Sequence, residues 1–303
     1  MKKHFLIILC LAFWGSCSID SSVSKTEPPS FEELSQLKSK VVPFFKPMQI
    51  QNYDWLESFP ENGQTFEEYK IASPALPTSQ RNTIYIQPIG EFSETQKKVL
   101  QLTADYMNAF YNLPVKLTQV KPLSEVPKEF QRKNPQDKQI QIKTAYFLDK
   151  LLPNLLPNDA AAFICFTNFD LYPDESMNYV FGQATLQNRV GVWSLWRFGN
   201  PDNSQNEYKL FLERTLKVAM HETGHMFTMK HCTKYECLMS GVNHLGEMDR
   251  RPLDVCPECM AKVAWAMKYQ PTERYRNLSN FWKTQGFEDL SKEFAEKEKA
   301  VSK

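Results

Sequence analysis

Glycine is scarce, at 10 of 303 residues. Neither a P-loop nor a G-x-G-x-x-G fingerprint occurs, so the usual backbone cradles for nucleotide phosphates are excluded. A surplus of charge is missing as well: 36 Lys and Arg stand against 35 Asp and Glu, for a formal net charge of +1. That balance offers neither a polybasic arm for nucleic acid nor an acidic disordered tail. No nucleotide or nucleic acid is therefore expected as a partner. Beyond the N-terminus, no apolar run approaches the roughly 18 residues of a membrane-crossing helix. What is present is aromatic mass, with 21 Phe, 12 Tyr and 6 Trp, enough for one sizeable core.

The first residues, MKKHFLIILCLAFWGSC, set two lysines before a short apolar run that ends in Gly15 and Ser16, directly ahead of Cys17. This is the anatomy of an export signal. Small residues before Cys resemble the lipobox of bacterial lipoproteins, with Trp14 where Leu is usual. Residues 1–16 are read as a signal peptide and Cys17 as the lipidation site. Residues 17–47, rich in Ser, Lys, Glu and Pro, read as a lipid-attached tether. The expected location is outside the cytoplasm, anchored to a bacterial membrane on its periplasmic or cell-surface side. Membrane attachment then comes from lipid, because charge is balanced.

The body, residues 48–286, alternates helical and extended patterns. TIYIQPI from Thr83 reads as a strand, and Ser93 with Gln96 makes a capping box for a helix carrying Val99, Leu100, Tyr106 and Phe110. PVKLTQV and AAFICFT read as further strands, the latter burying Cys165 as an inert core residue. Residues 140–156 look helical. NYVFGQA and RVGVWSLW read as two strands, and RVGVWSLW is a candidate sheet edge for an extended peptide, with an inner strand as the equal alternative. Ser204 and Glu207 form a second capping box, opening a helix that runs into His221. Helices are also expected from Pro257 and over residues 272–285, followed by a solvated, charged tail over 287–303.

Three of the five histidines lie in HETGHMFTMKH. His221 and His225 are four residues apart on the same helix, so both imidazoles point the same way. Glu222 between them is placed to act on a water at the metal they would hold. His231 completes three imidazoles if the chain turns back after the helix, leaving one position open for water, the arrangement of a catalytic zinc site. Just beyond lie Cys232, Cys237, Cys256 and Cys259, in Cx4C and CxxC pairs. Such spacing suits a tetrahedral thiolate zinc site. Two disulfides are the alternative that export would allow, and the neighbouring metal motif weighs toward zinc.

The run HETGHMFTMKHCTKYECLM, continuing through SGVNHLGEMDRRPLDVCPEC, resembles the archaemetzincins, zinc metallopeptidases of the metzincin clan. DWLESF, QTFEEY, TIYIQPIG, NYVFGQA and VGVWSLWRFG support the likeness, which spans about residues 54–282. The resemblance implies an α+β, metzincin-like zincin fold, with a twisted mixed sheet, an active-site helix and a four-cysteine zinc-binding subdomain. It implies two zinc ions per chain, a catalytic one on His221, His225 and His231 and a structural one on Cys232, Cys237, Cys256 and Cys259. Glu222 would be the general base and Met239 the Met-turn residue beneath the metal. The implied substrate is a peptide or protein, cleaved by a monomer.

Thr228 departs from the family pattern, which has Gly where the helix breaks toward the third ligand. If φ is positive there, a β-branched residue costs on the order of 1–3 kcal/mol and strains the approach of His231. The alternative reading is thus a zinc-stabilised surface lipoprotein, weak or inactive in catalysis, that binds peptides or glycans. In the loop between the cysteine pairs, His244 and Asp249 are candidates to orient the ligands, while Glu247 reads as solvated.

Overall fold

The computed structural model describes residues 27–123 and 126–303; residues 1–16, expected to be a signal peptide, and the expected lipidation site Cys17 lie outside them. In chain order the elements begin with α1 (Phe31–Val41), α2 (Trp55–Ser58), α3 (Phe66–Ile71), β1 (Thr83–Ile89), α4 (Glu94–Tyr111) and β2 (Val115–Leu117). There follow β3 (Gln131–Lys133), β4 (Ile140–Lys143), α5 (Leu152–Leu155), β5 (Ala160–Thr167), β6 (Asp170–Tyr172), β7 (Gly182–Ala184) and β8 (Val190–Ser194). The C-terminal part is helical: α6 (Gln205–Met226), α7 (Leu245–Arg250), α8 (Pro257–Met267), α9 (Pro271–Thr284) and α10 (Glu288–Val301).

A five-stranded sheet runs in the order β2-β1-β5-β8-β7, parallel except for β7, which is antiparallel to β8. A smaller sheet, β3-β4-β6, adjoins it. Strand β5 is buried along its whole length, as its unbroken apolar run requires. Successive side chains alternate between faces. Ala162, Ile164 and Phe166 meet α4 and α6 in the main core, while Phe163 and Cys165 meet Phe147 and Leu152 in a second one. Burial pushes the Cys165 thiol well above its usual range, consistent with an inert residue. The predicted α+β architecture, a mixed sheet under one long helix, is what the chain adopts.

Several expectations are corrected. Residues 140–156 are not one helix. Ile140 and Ile142 alternate with polar residues and pair with β3 and β6, and a π-helical turn over Tyr146–Leu151 precedes α5, whose first turn accommodates Pro153. RVGVWSLW is an inner strand between β5 and β7, and the edge is β7. Ser204 caps α6 by accepting from Glu207 N at 3.2 Å, but Asn203 Nδ2 holds the Glu207 carboxylate, so only half of that capping box forms.

Neither end of the described chain is a free tether. Leu34, Leu37 and Val41 of α1 are buried, and α1 packs on α8. At the other end α10 docks on α9 through Phe294 and Val301. Its Lys297, 1% exposed, lies 3.0 Å from the buried Asp254, which also pairs with Arg274 at 2.8 Å. The folded body therefore extends past both sequence-drawn limits.

Candidate metal centre

Helix α6 carries His221 and His225 on one face, with their Nε2 atoms 3.0 Å apart. The other ring nitrogen of each faces a main-chain carbonyl: His221 Nδ1 lies 2.9 Å from Leu238 O and His225 Nδ1 2.6 Å from Met229 O. Those contacts set the tautomer that leaves Nε2 free for a cation. Burial, followed by the neighbouring imidazoles, holds His221 well below its usual pKa; burial and His231 lower His225 to about 4. Both rings are thus neutral near pH 7, the form in which imidazole binds metal.

The helix ends in a left-handed turn. Thr228 has φ 67°, the conformation that favours glycine. Its hydroxyl compensates by accepting from Ala75 N at 2.9 Å and donating to Leu186 O at 3.1 Å. The turn closes despite the β-branch. His231 comes back to the pair, so that one ring nitrogen from each of the three histidines lies within 4.8 Å of the others. Its Nδ1 meets Glu61 Oε1 at 2.6 Å, and Glu61 also accepts from Trp55 Nε1 at 2.7 Å. Burial pushes the Glu61 carboxyl up, but these bonds outweigh it and hold the group below the usual carboxylate range. Three imidazoles with satisfied outer nitrogens and converging inner ones fit a zinc ion.

Glu222 projects between the histidines into an apolar cleft of about 350 Å³ whose walls include Tyr179, Phe181, Val218 and Val242. Its side chain lies against Gly182 of the edge strand, where a Cβ would come within 3.1 Å of its carboxyl oxygen. Burial raises its pKa to about 8. A dication beside it would counter that shift and favour the carboxylate.

The four cysteines are buried and free of disulfides, with their sulfurs within 4.8 Å of one another. Burial pushes the Cys237 and Cys256 thiols well above their usual range, while hydrogen bonds from the neighbouring cysteines lower Cys232; a cation among them would favour the thiolate form. The two clusters share backbone. Cys232 follows His231 directly, and its N–H donates to Met239 O at 2.8 Å. Cys237 is followed by Leu238, whose carbonyl faces His221, and by Met239 under the histidine helix. Met239 lies so close that a Cβ on Gly224 would stand 2.6 Å from its Sδ.

Glu247 is buried rather than solvated. It pairs with Arg251 at 2.6 Å and accepts from the N–H groups of Trp55 and Asn243. Asp249 holds Arg214, and His244 caps α7 by accepting from Glu247 N, so neither touches the three-histidine group. Asp54, His244 and Glu247 gather within 4.8 Å, but Arg250 and Arg251 already neutralise both carboxylates, which argues against a cation there. Trp55, Glu61, Gly182 and Gly224 escaped the site prediction, because each acts through contacts that no local pattern encodes.

A model described as peptidase family M54 matches residues 139–264, a stretch that leaves out Trp55 and Glu61. Archaemetzincin-2 of Pongo abelii is 35% identical, over 74% of this chain and 71% of that protein, and that of Mus musculus is 35% identical over 77% and 74%. The crystal structure of an archaemetzincin from Methanopyrus kandleri matches with a TM-score of 0.50 at 24% identity, covering 63% of this chain and 97% of that one, a likeness of fold. With relatives this similar over most of their length, the chain belongs to the archaemetzincin family and is a zinc metallopeptidase.

Proposed function

We propose that this protein hydrolyses peptide bonds with one zinc ion held by His221, His225 and His231, and carries a second, structural zinc on Cys232, Cys237, Cys256 and Cys259. The observation that supports this most is the convergence of three imidazoles beside the buried Glu222, in a cleft lined by Gly182, Gln183 and Ala184 of the edge strand. A zinc ion bound there supplies Lewis acidity, which lowers the pKa of water and polarises the scissile carbonyl. Glu222 takes a proton from the attacking water and, once protonated, delivers it to the departing amine. Gly182 leaves room for that carboxylate, and edge strand β7 beside it is suited to receive the substrate backbone. Met239 supports the helix from below, at Gly224.

Glu222→Gln should lower kcat by at least about a hundredfold, the range expected for removing a general base, while elemental analysis still finds two zinc ions per chain. Hydrolysis that survives this change would overturn the assignment. The binding-only alternative drew on Thr228 spoiling the third-ligand turn; the closure of that turn favours hydrolysis.

We also propose that the chain is exported and lipid-anchored through Cys17, on the strength of residues 1–17. Cys17→Ser should move the protein from the membrane fraction to the soluble fraction and abolish labelling by a radioactive fatty acid.

A further inference from the structure

His231 is the one histidine of the three that no helix holds. It lies beyond the left-handed turn at Thr228, so no helical register fixes the direction of its ring. The outer nitrogens of His221 and His225 rest on main-chain carbonyls of nearby residues. That of His231 meets a side-chain carboxylate instead, Glu61 Oε1 at 2.6 Å, from 170 positions earlier in the chain. The same oxygen accepts from Trp55 Nε1 at 2.7 Å, and the indole stands edge-on to the His231 ring with centroids 5.3 Å apart. Trp55 is itself braced. Its N–H donates to the buried Glu247 at 3.0 Å, and a Cβ on Gly241 would stand 2.4 Å from its indole, so only glycine admits the ring there.

We propose that Glu61, braced by Trp55, is a positioning residue for the third zinc ligand; the inference rests on the zinc reading above. By accepting the Nδ1 proton, Glu61 selects the tautomer whose Nε2 lone pair faces His221 and His225. The carboxylate also makes the imidazole a stronger donor to a cation. The segment before the main sheet thereby completes the metal centre, although it contributes no ligand.

The test uses the zinc-loaded full chain and its Glu61→Ala and Glu61→Gln variants. Zinc affinity at the histidines is read by chelator competition, with the cysteine site as internal reference, and cobalt substitution reports the ligand geometry by visible absorption. Glu61→Ala should weaken the histidine site about 10- to 100-fold, the usual effect of losing such a partner, and alter the cobalt spectrum. Glu61→Gln, which keeps an acceptor but not the charge, should fall between it and the wild type. The cysteine site should keep its affinity in both. Variants within twofold of the wild type at the histidines, or equal losses at both sites, would overturn the inference. If the alanine variant does not fold, Glu61→Gln decides by the same criteria. A wild-type chain that takes up no zinc at the histidines would instead overturn the functional reading.

Discussion

Thr228 shows how one residue can satisfy a conformation its side chain disfavours. A left-handed threonine is strained, yet its hydroxyl ties the turn to Ala75 and Leu186 on two other segments. Glycine would relieve the strain and forfeit both bonds, so Thr228→Gly should change stability by no more than about 1 kcal/mol and leave zinc binding intact. Thr228→Val keeps the strain and loses the bonds. It should cost about 2 kcal/mol, read by urea unfolding, because Ala75 N–H is left unpaired. At this scale the ligand sets were legible: i, i+4 histidines and paired cysteines declare themselves locally. The hydroxyl's partners, 153 and 42 positions away, do not.

Elements were legible where their period was clean. TIYIQPI and AAFICFT became β1 and β5, and the Ser93 box opened α4. The ends were misjudged because α1 and α10 carry few apolar residues among many charges, and only their docking partners reveal which face is buried. The short α2 is fixed to α7 in the same long-range way, by Asp54 and Arg250 at 2.7 Å. Burial raises the Asp54 carboxyl, but the Arg250 bond and charge and the Gln51 N–H outweigh it, leaving the group lowered. A lowered carboxyl adds stability above its unfolded value, about pH 4, and loses it as the pH falls through the folded value. Asp54→Asn should therefore destabilise the chain by about 2 kcal/mol at pH 7, with the gap to wild type closing below about pH 4. A gap independent of pH would refute the pairing.

Across the whole molecule, the two ligand clusters form one unit. Residues 237–239 supply a cysteine, the carbonyl facing His221 and the methionine beneath Gly224. Loss of the ion proposed at the cysteines should therefore loosen the histidine site more than the reverse. With the two zinc ions proposed above, Cys259→Ser is expected to bring the zinc content toward none, whereas His225→Ala should leave one. Equal retention of a single ion in both variants would contradict this order of dependence. The sequence revealed both clusters but not this coupling, which depends on hydrogen bonds made only once the chain has folded.

His231 and Cys232 are adjacent, so a single peptide link separates a proposed donor to one centre from a proposed donor to the other. That junction has no slack in register. Adding one residue between them would turn one donor away from its partners, whereas the 16 residues from Ser240 to Val255 span a stretch whose length can vary with less harm. Within this enzyme, spacing should be rigid at the hinge between the centres and permissive in the loop that follows.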